Sequence, residues 1–326
     1  MEPEIMFIRV SENCNAGCFM CGYAGNHNSY NITETEFENL LTMMRDTGTY
    51  RLIRFTGGEP LLHPLLAKFI TRCKEEGYTT SIISNGYLLP SQAEKLANAG
   101  LDQIIISIDG SKSEINDNLR GLKNGLEHIK LGVKKLREKN PNIHIRANTV
   151  ISRENIDDLL DLYSMLEEMQ FDSWSLIPIR GNSSIWKKEE LLHYKEIYEK
   201  FKEKQKTTTK PELLGYSSSF FGRNDDEVNK SLLYNYRITP NDKCNLVDLV
   251  RFYIPDKKLI IPCNCAAHRI HQIDVEYNDI IDPMEKASLM ADWLRENGPS
   301  CCTGCEPLNA YLADNPLILK KSLFKY

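Results

Sequence analysis

Val10-Ser-Glu-Asn-Cys14-Asn-Ala-Gly-Cys18-Phe-Met-Cys21-Gly22 leaves the first strand-like run of the chain and carries three cysteines as C-x3-C-x2-C. Three thiolates on one short loop can hold three irons of a [4Fe–4S] cluster, which wants four ligands. The remaining iron is then open to a small molecule, which can be bound there and reduced by one electron. A structural zinc site needs four ligands, usually as paired cysteines or histidines at short spacing. His27 would be the fourth, but its offset from Cys21 fits no common zinc spacing. A disulfide framework goes with export, whereas Met1 is followed within a few residues by strand-like sequence rather than a targeting peptide.

Outward from that loop, strand-like and helix-like segments alternate from residue 4 to about 180. The β-rich runs are Ile5–Val10, Tyr50–Thr56, Tyr78–Ser84, Asp102–Ile108, Ile143–Ile151 and Ser173–Ile179. Amphipathic stretches separate them: Glu34–Arg45, Pro64–Glu76, Ser91–Ala99, Gly121–Lys139 and Glu154–Met169. Such alternation predicts parallel βαβ units wound right-handedly into a barrel or an open sheet. Functional loops then follow the C-terminal strand ends. The cysteine loop, Thr56-Gly-Gly-Glu-Pro60, Ser84-Asn-Gly86, Ser107-Ile-Asp-Gly110 and Asn148 all fall there, which predicts one pocket.

Further on, Leu191–Lys206 reads as a charged amphipathic helix and Lys206-Thr-Thr-Thr-Lys-Pro211 as a linker. Tyr216–Asn235 has no clear period. Leu246–Ile254 and Lys258–Ile261 flank Pro255-Asp-Lys257 as a hairpin. Asp282–Asn297 reads as a helix stopped by Gly298-Pro299. The expected division is a barrel over residues 1–206 and a smaller unit over 207–326.

The 326 residues are 41 % hydrophobic and 26 % charged, ordinary for a globular protein. A net charge of −5 gives no basic field for nucleic acid, and no apolar run approaches a membrane span. Ten cysteines are many. They fall at 14–21 and 244–305, with only Cys73, on an apolar helix face, between. Without an export signal, a cytoplasmic setting and metal binding are the expectation.

Gly57-Gly58-Glu59-Pro60 follows an apolar strand. Paired glycines let backbone approach a ligand closely, and Glu59 offers a carboxylate for an ammonium group. Read alone, it is equally a tight strand–helix turn. Together with C-x3-C-x2-C one βα unit upstream, it resembles the radical S-adenosylmethionine (radical SAM) superfamily. The resemblance implies a partial (β/α)6 barrel with Cys14, Cys18 and Cys21 on a [4Fe–4S] cluster and Gly57, Gly58, Glu59 and Pro60 at the methionine of SAM. Met20 takes the place near adenine where the family usually has an aromatic or large apolar residue. Ser84, Asn85, Ser107, Asp109 and Asn148 stand at strand ends that approach SAM in the family. The chemistry implied is reductive cleavage of SAM to methionine and a 5′-deoxyadenosyl radical, which takes a hydrogen atom from substrate. A reductant such as flavodoxin or ferredoxin would supply the electron.

Cys244, Cys263 and the pair Cys302-Thr-Gly-Cys305 resemble the auxiliary-cluster module called Twitch, a truncated SPASM domain. That implies a second, four-cysteine [4Fe–4S] cluster; a four-cysteine zinc ribbon is the alternative. Cys265 and Cys301 leave the registration open.

The segments Phe7-Ile-Arg9, Ile53-Arg-Phe-Thr-Gly-Gly-Glu-Pro-Leu-Leu-His63, Ser81-Ile-Ile-Ser-Asn-Gly86, Phe220-Phe-Gly222, Cys263 to Arg269 and Asn297-Gly-Pro-Ser-Cys-Cys-Thr-Gly-Cys305 resemble cytosylglucuronate decarboxylases of nucleoside-antibiotic pathways. The implied reaction removes CO2 from the glucuronate of a nucleoside. A sugar carboxylate needs a cation, for which Arg146, Arg180 and Arg269 are candidates, and Trp186 could stack on cytosine. The rival readings are a sugar or cyclitol dehydrogenase, a peptide-modifying maturase and a zinc-binding interaction protein. A maturase usually carries an N-terminal peptide-recognition domain, for which a strand starting by residue 5 leaves no room.

Overall fold

The computed structural model describes residues 4–21, 24, 30–178, 188–214, 250–254, 258–262 and 282–301. Six strands alternate with helices as the sequence predicts: β1 (Ile5–Ser11), β2 (Leu52–Gly57), β3 (Thr79–Ser84), β4 (Gln103–Ser107), β5 (His144–Ile151) and β6 (Ser173–Pro178). The helices are α1 (Glu34–Thr47), α2 (Leu66–Glu75), α3 (Leu89–Asn98), α4 (Ser113–Arg120), α5 (Gly125–Lys139), α6 (Leu159–Glu168) and α7 (Lys188–Gln205). With β7 (Glu212–Leu213), β8 (Val250–Ile254) and β9 (Leu259–Ile261), the sheet runs β7-β6-β5-β4-β3-β2-β1-β8-β9. Every pairing is parallel except the β8–β9 hairpin. The result is a partial (β/α)6 barrel followed by a hairpin and α8 (Pro283–Cys301).

Alternate strand residues point to opposite faces of the sheet. Met6, Ile8, Phe55, Ile106, Ala147 and Trp174 face the helices and bury there. Their partners include Phe37, Phe69, Leu136, Leu162 and Phe201. The opposite face lines the barrel interior. Arg54 donates from Nε to Ser81 Oγ at 3.2 Å and from Nη2 to Gln103 Oε1 at 3.0 Å. Its guanidinium lies 5.4 Å from the ring centre of Phe7, which stacks on Phe252 at 4.6 Å. This layer is buried inside the barrel on the N-terminal halves of β1 to β4.

Four elements depart from the sequence expectation. α4 was not expected; it buries only Asn116 and Leu119, too few apolar positions to show a period. The stretch read as a linker is followed at once by β7, two residues that pair in parallel with β6. The hairpin is present, but β8 pairs with β1 and continues the barrel sheet. α8 runs through Gly298-Pro299 to Cys301. Pro299 stands in its last turn, where one missing N–H removes only one late hydrogen bond. No helix among the described residues is long and apolar enough to cross a membrane.

Candidate functional site

The cysteine loop and the Gly-Gly-Glu-Pro turn form one unit. β1 pairs with β2 through a register shift between Arg9 and Ser11. Beyond it, Gly58 N–H donates to Ser11 O at 2.7 Å and Glu59 N–H to Asn13 O at 2.7 Å. A Cβ on Gly57 would stand 2.1 Å from Ser11 O, and one on Gly58 would stand 2.2 Å from Asn13 O. Both glycines are therefore demanded by the backbone that leads into Cys14. Gly57 also has φ +128°, which side-chain-bearing residues avoid.

Glu59 is buried at 1 % exposure and latches this unit to β3. Oε1 accepts from Leu61 N–H at 2.9 Å and Ser84 Oγ at 2.8 Å; Oε2 accepts from Asn85 N–H at 2.7 Å. Burial raises its carboxyl above the usual range, opposed by these three donors. The carboxylate offered by sequence to an ammonium group thus has protein donors on both oxygens. Pro60 starts the following 3-10 turn, Pro60–Leu62. His63 closes it, Nε2–H donating to Ile32 O at 3.0 Å while Nδ1 accepts from Leu65 N–H at 3.2 Å.

Ser84 Oγ also accepts from Gly86 N–H at 2.9 Å. Asn85 Nδ2 donates to Asn15 Oδ1 at 2.8 Å, returning to the cysteine loop, and its Oδ1 accepts from Tyr87 N–H at 2.9 Å. Cys14, Cys18 and Cys21 form no disulfide and are half-buried, buried and exposed in turn. Among the described residues, no three His, Cys, Asp or Glu side chains gather as ligands of one metal ion. A four-iron cluster binds each cysteine to a different iron, so its thiolates stand further apart than ligands of one ion do. Burial raises the Cys14 thiol; the backbone N–H of Ala16 opposes this. Cys18 packs with Ala16 and Leu122, and Met20, Cys14 and Tyr87 pack against that group.

Asp109, expected at the pocket rim, is wholly buried. Oδ1 accepts from Val150 N–H at 2.7 Å. Oδ2 lies 2.7 Å from Arg120 Nε as an ion pair off the hydrogen-bond axis. Burial raises the Asp109 carboxyl and Arg120 opposes it. Arg120, the last residue of α4, then reaches Cys18: Nη1 donates to Sγ at 3.6 Å. Sequence reasoning missed it, because it lies 102 positions from Cys18 and its helix has no visible period.

Ser107, Asn148 and Ser175 sit side by side on β4, β5 and β6, on the inward face. Arg146, 8 % exposed, donates from Nε to Asn148 Oδ1 at 3.1 Å and from Nη2 to Ser175 Oγ at 2.6 Å. Cys73 packs in the core. Cys244, Cys263, Cys265, Cys302, Cys305, Arg180, Trp186 and Arg269 lie outside the described residues, and Cys301 ends α8.

Residues 8–166 match the sequence model of the Radical SAM superfamily. The AdoMet-dependent heme synthase of Methanosarcina barkeri is 28 % identical over 189 residues, 56 % of this chain and 53 % of the relative. The probable GTP 3′,8-cyclase of Sulfolobus acidocaldarius is 27 % identical over 179 residues, 55 % of this chain and 56 % of the relative. The chain thus spans about half the length of these curated relatives. In fold it is similar to anSMEcpe with bound AdoMet and the Cp18Cys peptide, at TM-score 0.65 and 16 % identity over 98 % of this chain and 97 % of that one. It is also similar to Streptococcus suis SuiB bound to S-adenosylmethionine, at TM-score 0.66 and 17 % identity over 96 % of this chain and 75 % of that one.

Proposed function

We propose that the chain is a radical SAM enzyme that decarboxylates a uronic acid carried by a nucleoside, cytosylglucuronic acid being the substrate the sequence resemblance implies. The observation that carries the reading is the pair of 2.7 Å backbone hydrogen bonds joining Gly58 and Glu59 to the cysteine loop. They hold a three-thiol loop and a glycine-rich turn in one fixed geometry at the open end of the barrel. Cys14, Cys18 and Cys21 would hold the cluster, and a donor set of three cysteines on one loop, none in a disulfide, suits it. When bound, SAM and the reduced cluster supply a 5′-deoxyadenosyl radical.

The chain's own residues orient and enclose. Gly57, Gly58, Glu59 and Pro60 would hold the methionine of SAM, and Met20 would stand near its adenine. Ser84, Asn85 and Asp109 shape the pocket through Glu59, Asn15 and Arg120. Ser107 and Asn148 line its inner wall. Arg146, held by Asn148 and Ser175, supplies the cation for a substrate carboxylate. The segment 207–326, whose β7 and β8 continue the barrel sheet, carries a Twitch-like second cluster on Cys244, Cys263, Cys302 and Cys305. A small reductant protein of the flavodoxin or ferredoxin kind would deliver two electrons per turnover, one to cleave SAM and one that, with protons, quenches the substrate radical left by hydrogen abstraction and loss of CO2.

The test uses protein reconstituted anaerobically with iron and sulfide, then given SAM, a strong reductant and cytosylglucuronic acid. The expected result is one CO2 lost from substrate per 5′-deoxyadenosine formed. Loss of two hydrogens instead replaces the decarboxylase with a dehydrogenase. The Cys14→Ala, Cys18→Ala, Cys21→Ala triple variant makes no 5′-deoxyadenosine; retained production overturns the assignment.

A further inference from the structure

Arg120 is the element of this site that neither the cysteine motif nor the glycine turn explains. Its guanidinium is desolvated, with a side-chain exposure of 11 %, and it bridges a wholly buried carboxylate to a cysteine sulfur. On one side Nε meets Asp109 Oδ2 at 2.7 Å; on the other Nη1 reaches Cys18 Sγ at 3.6 Å. The backbone repeats the connection. Gly17 N–H donates to Arg120 O at 3.0 Å. Gly121, at φ +60°, lies so close that a Cβ there would stand 2.8 Å from Gly17 Cα. Asp109 is itself fixed: Val150 N–H binds its carboxylate, and its backbone O accepts from Asn155 Nδ2 at 2.9 Å. The cation therefore stands at the sulfur by construction.

The geometry points to Arg120, held by Asp109, as a positioning residue that fixes Cys18 and raises the reduction potential of the cluster on Cys14, Cys18 and Cys21. Reduction adds negative charge to the cluster and its thiolates. A buried cation donating to one of those sulfurs stabilises the reduced form more than the oxidised one. A low surrounding dielectric strengthens the effect. A Cys18 thiolate keeps the guanidinium donor and loses only its own S–H contact with Arg120 O. This inference rests on the cluster assignment proposed above.

The experiment is a potentiometric titration, without SAM, of the anaerobically reconstituted full chain, followed by electron paramagnetic resonance. The signal read is the one that the Cys14→Ala, Cys18→Ala, Cys21→Ala variant lacks, which separates it from any second cluster. At the midpoint of the unaltered protein, Arg120→Gln is expected to show about a tenfold lower ratio of reduced to oxidised cluster, or 59 mV for one electron. Arg120→Gln with full iron and an unchanged potential overturns the inference. If Arg120→Gln does not fold, Arg120→Lys decides. A compact ammonium cannot span Asp109 and Cys18 together, so a smaller shift in the same direction is expected, and an unchanged potential overturns the proposal. If the unaltered protein takes up no cluster, both readings fall; an unchanged potential removes this one alone.

Discussion

Gly58 donates its backbone N–H to Ser11 O at 2.7 Å, so the turn after β2 is hydrogen-bonded to the loop that presents Cys14. A Gly58→Ala side chain would meet Asn13 O at 2.2 Å and must push the two loops apart. The expected cost is about 1–3 kcal/mol, with lower iron uptake on reconstitution. Gly77→Ala is the control: φ is +83° but nothing lies within 4 Å. It should cost roughly 1–2 kcal/mol from backbone strain alone and leave iron per chain unchanged. Equal iron uptake in the two variants would refute the clamp.

Glu59→Gln puts an NH2 group where one carboxylate oxygen now accepts. Leu61 N–H, Ser84 Oγ and Asn85 N–H all point at that carboxylate, so at least one donor loses its acceptor. A buried unsatisfied donor costs about 1–3 kcal/mol. Chemical denaturation measures the loss, and a stability equal to the unaltered protein would show that the latch contributes nothing.

Stability should fall on mild acidification. Burial lowers His144 from 6.5 to about 4, with Asp172 opposing, and burial also lowers His63. Between about pH 6.5 and pH 4 the unfolded chain binds protons at these groups that the folded chain does not. Folding stability therefore rises with pH across that window and is lost as pH falls through it. Thermal melts at pH 7 and pH 5 check the sign. His144→Asn should shrink the difference, and a difference of unaltered size would exclude His144 as its source.

Arg146→Gln should raise KM for an acidic substrate about 10- to 100-fold, the range of a lost charge-assisted hydrogen bond. Substrate-independent 5′-deoxyadenosine formation is the companion measurement and should change less than KM, since Arg146 reaches the SAM-side residue Asn148 only through its Oδ1. An equal loss of that formation would place Arg146 in the scaffold of the pocket.

Cys302→Ala should lower bound iron toward about four per chain, the content of one [4Fe–4S] cluster. Iron unchanged from the unaltered protein would remove Cys302 from the second ligand set.

Much of this was legible in local pattern. Six strands, the barrel-type alternation and the placing of the cysteine loop, the glycine turn and the β3 and β4 ends on one rim follow from periodicities of two and near four and from turn residues. α4 was hidden because only Asn116 and Leu119 of its residues are buried. β7 was hidden because two residues cannot show alternation.

By itself, then, the sequence determined the six barrel strands, the longer helices between them and which three thiols share a loop, because those properties depend on neighbours within a few positions. Only the tertiary structure decided what the polar groups of the site touch. Gly57 and Gly58 read as openings for a ligand, yet they meet the carbonyls of Ser11 and Asn13, more than forty positions earlier. Asp109 read as a rim carboxylate and is buried against Arg120, which reaches Cys18 across 102 positions. Strand order brings such groups within three or four ångströms, and burial then fixes their pairing, since an unpaired polar group inside the protein is costly.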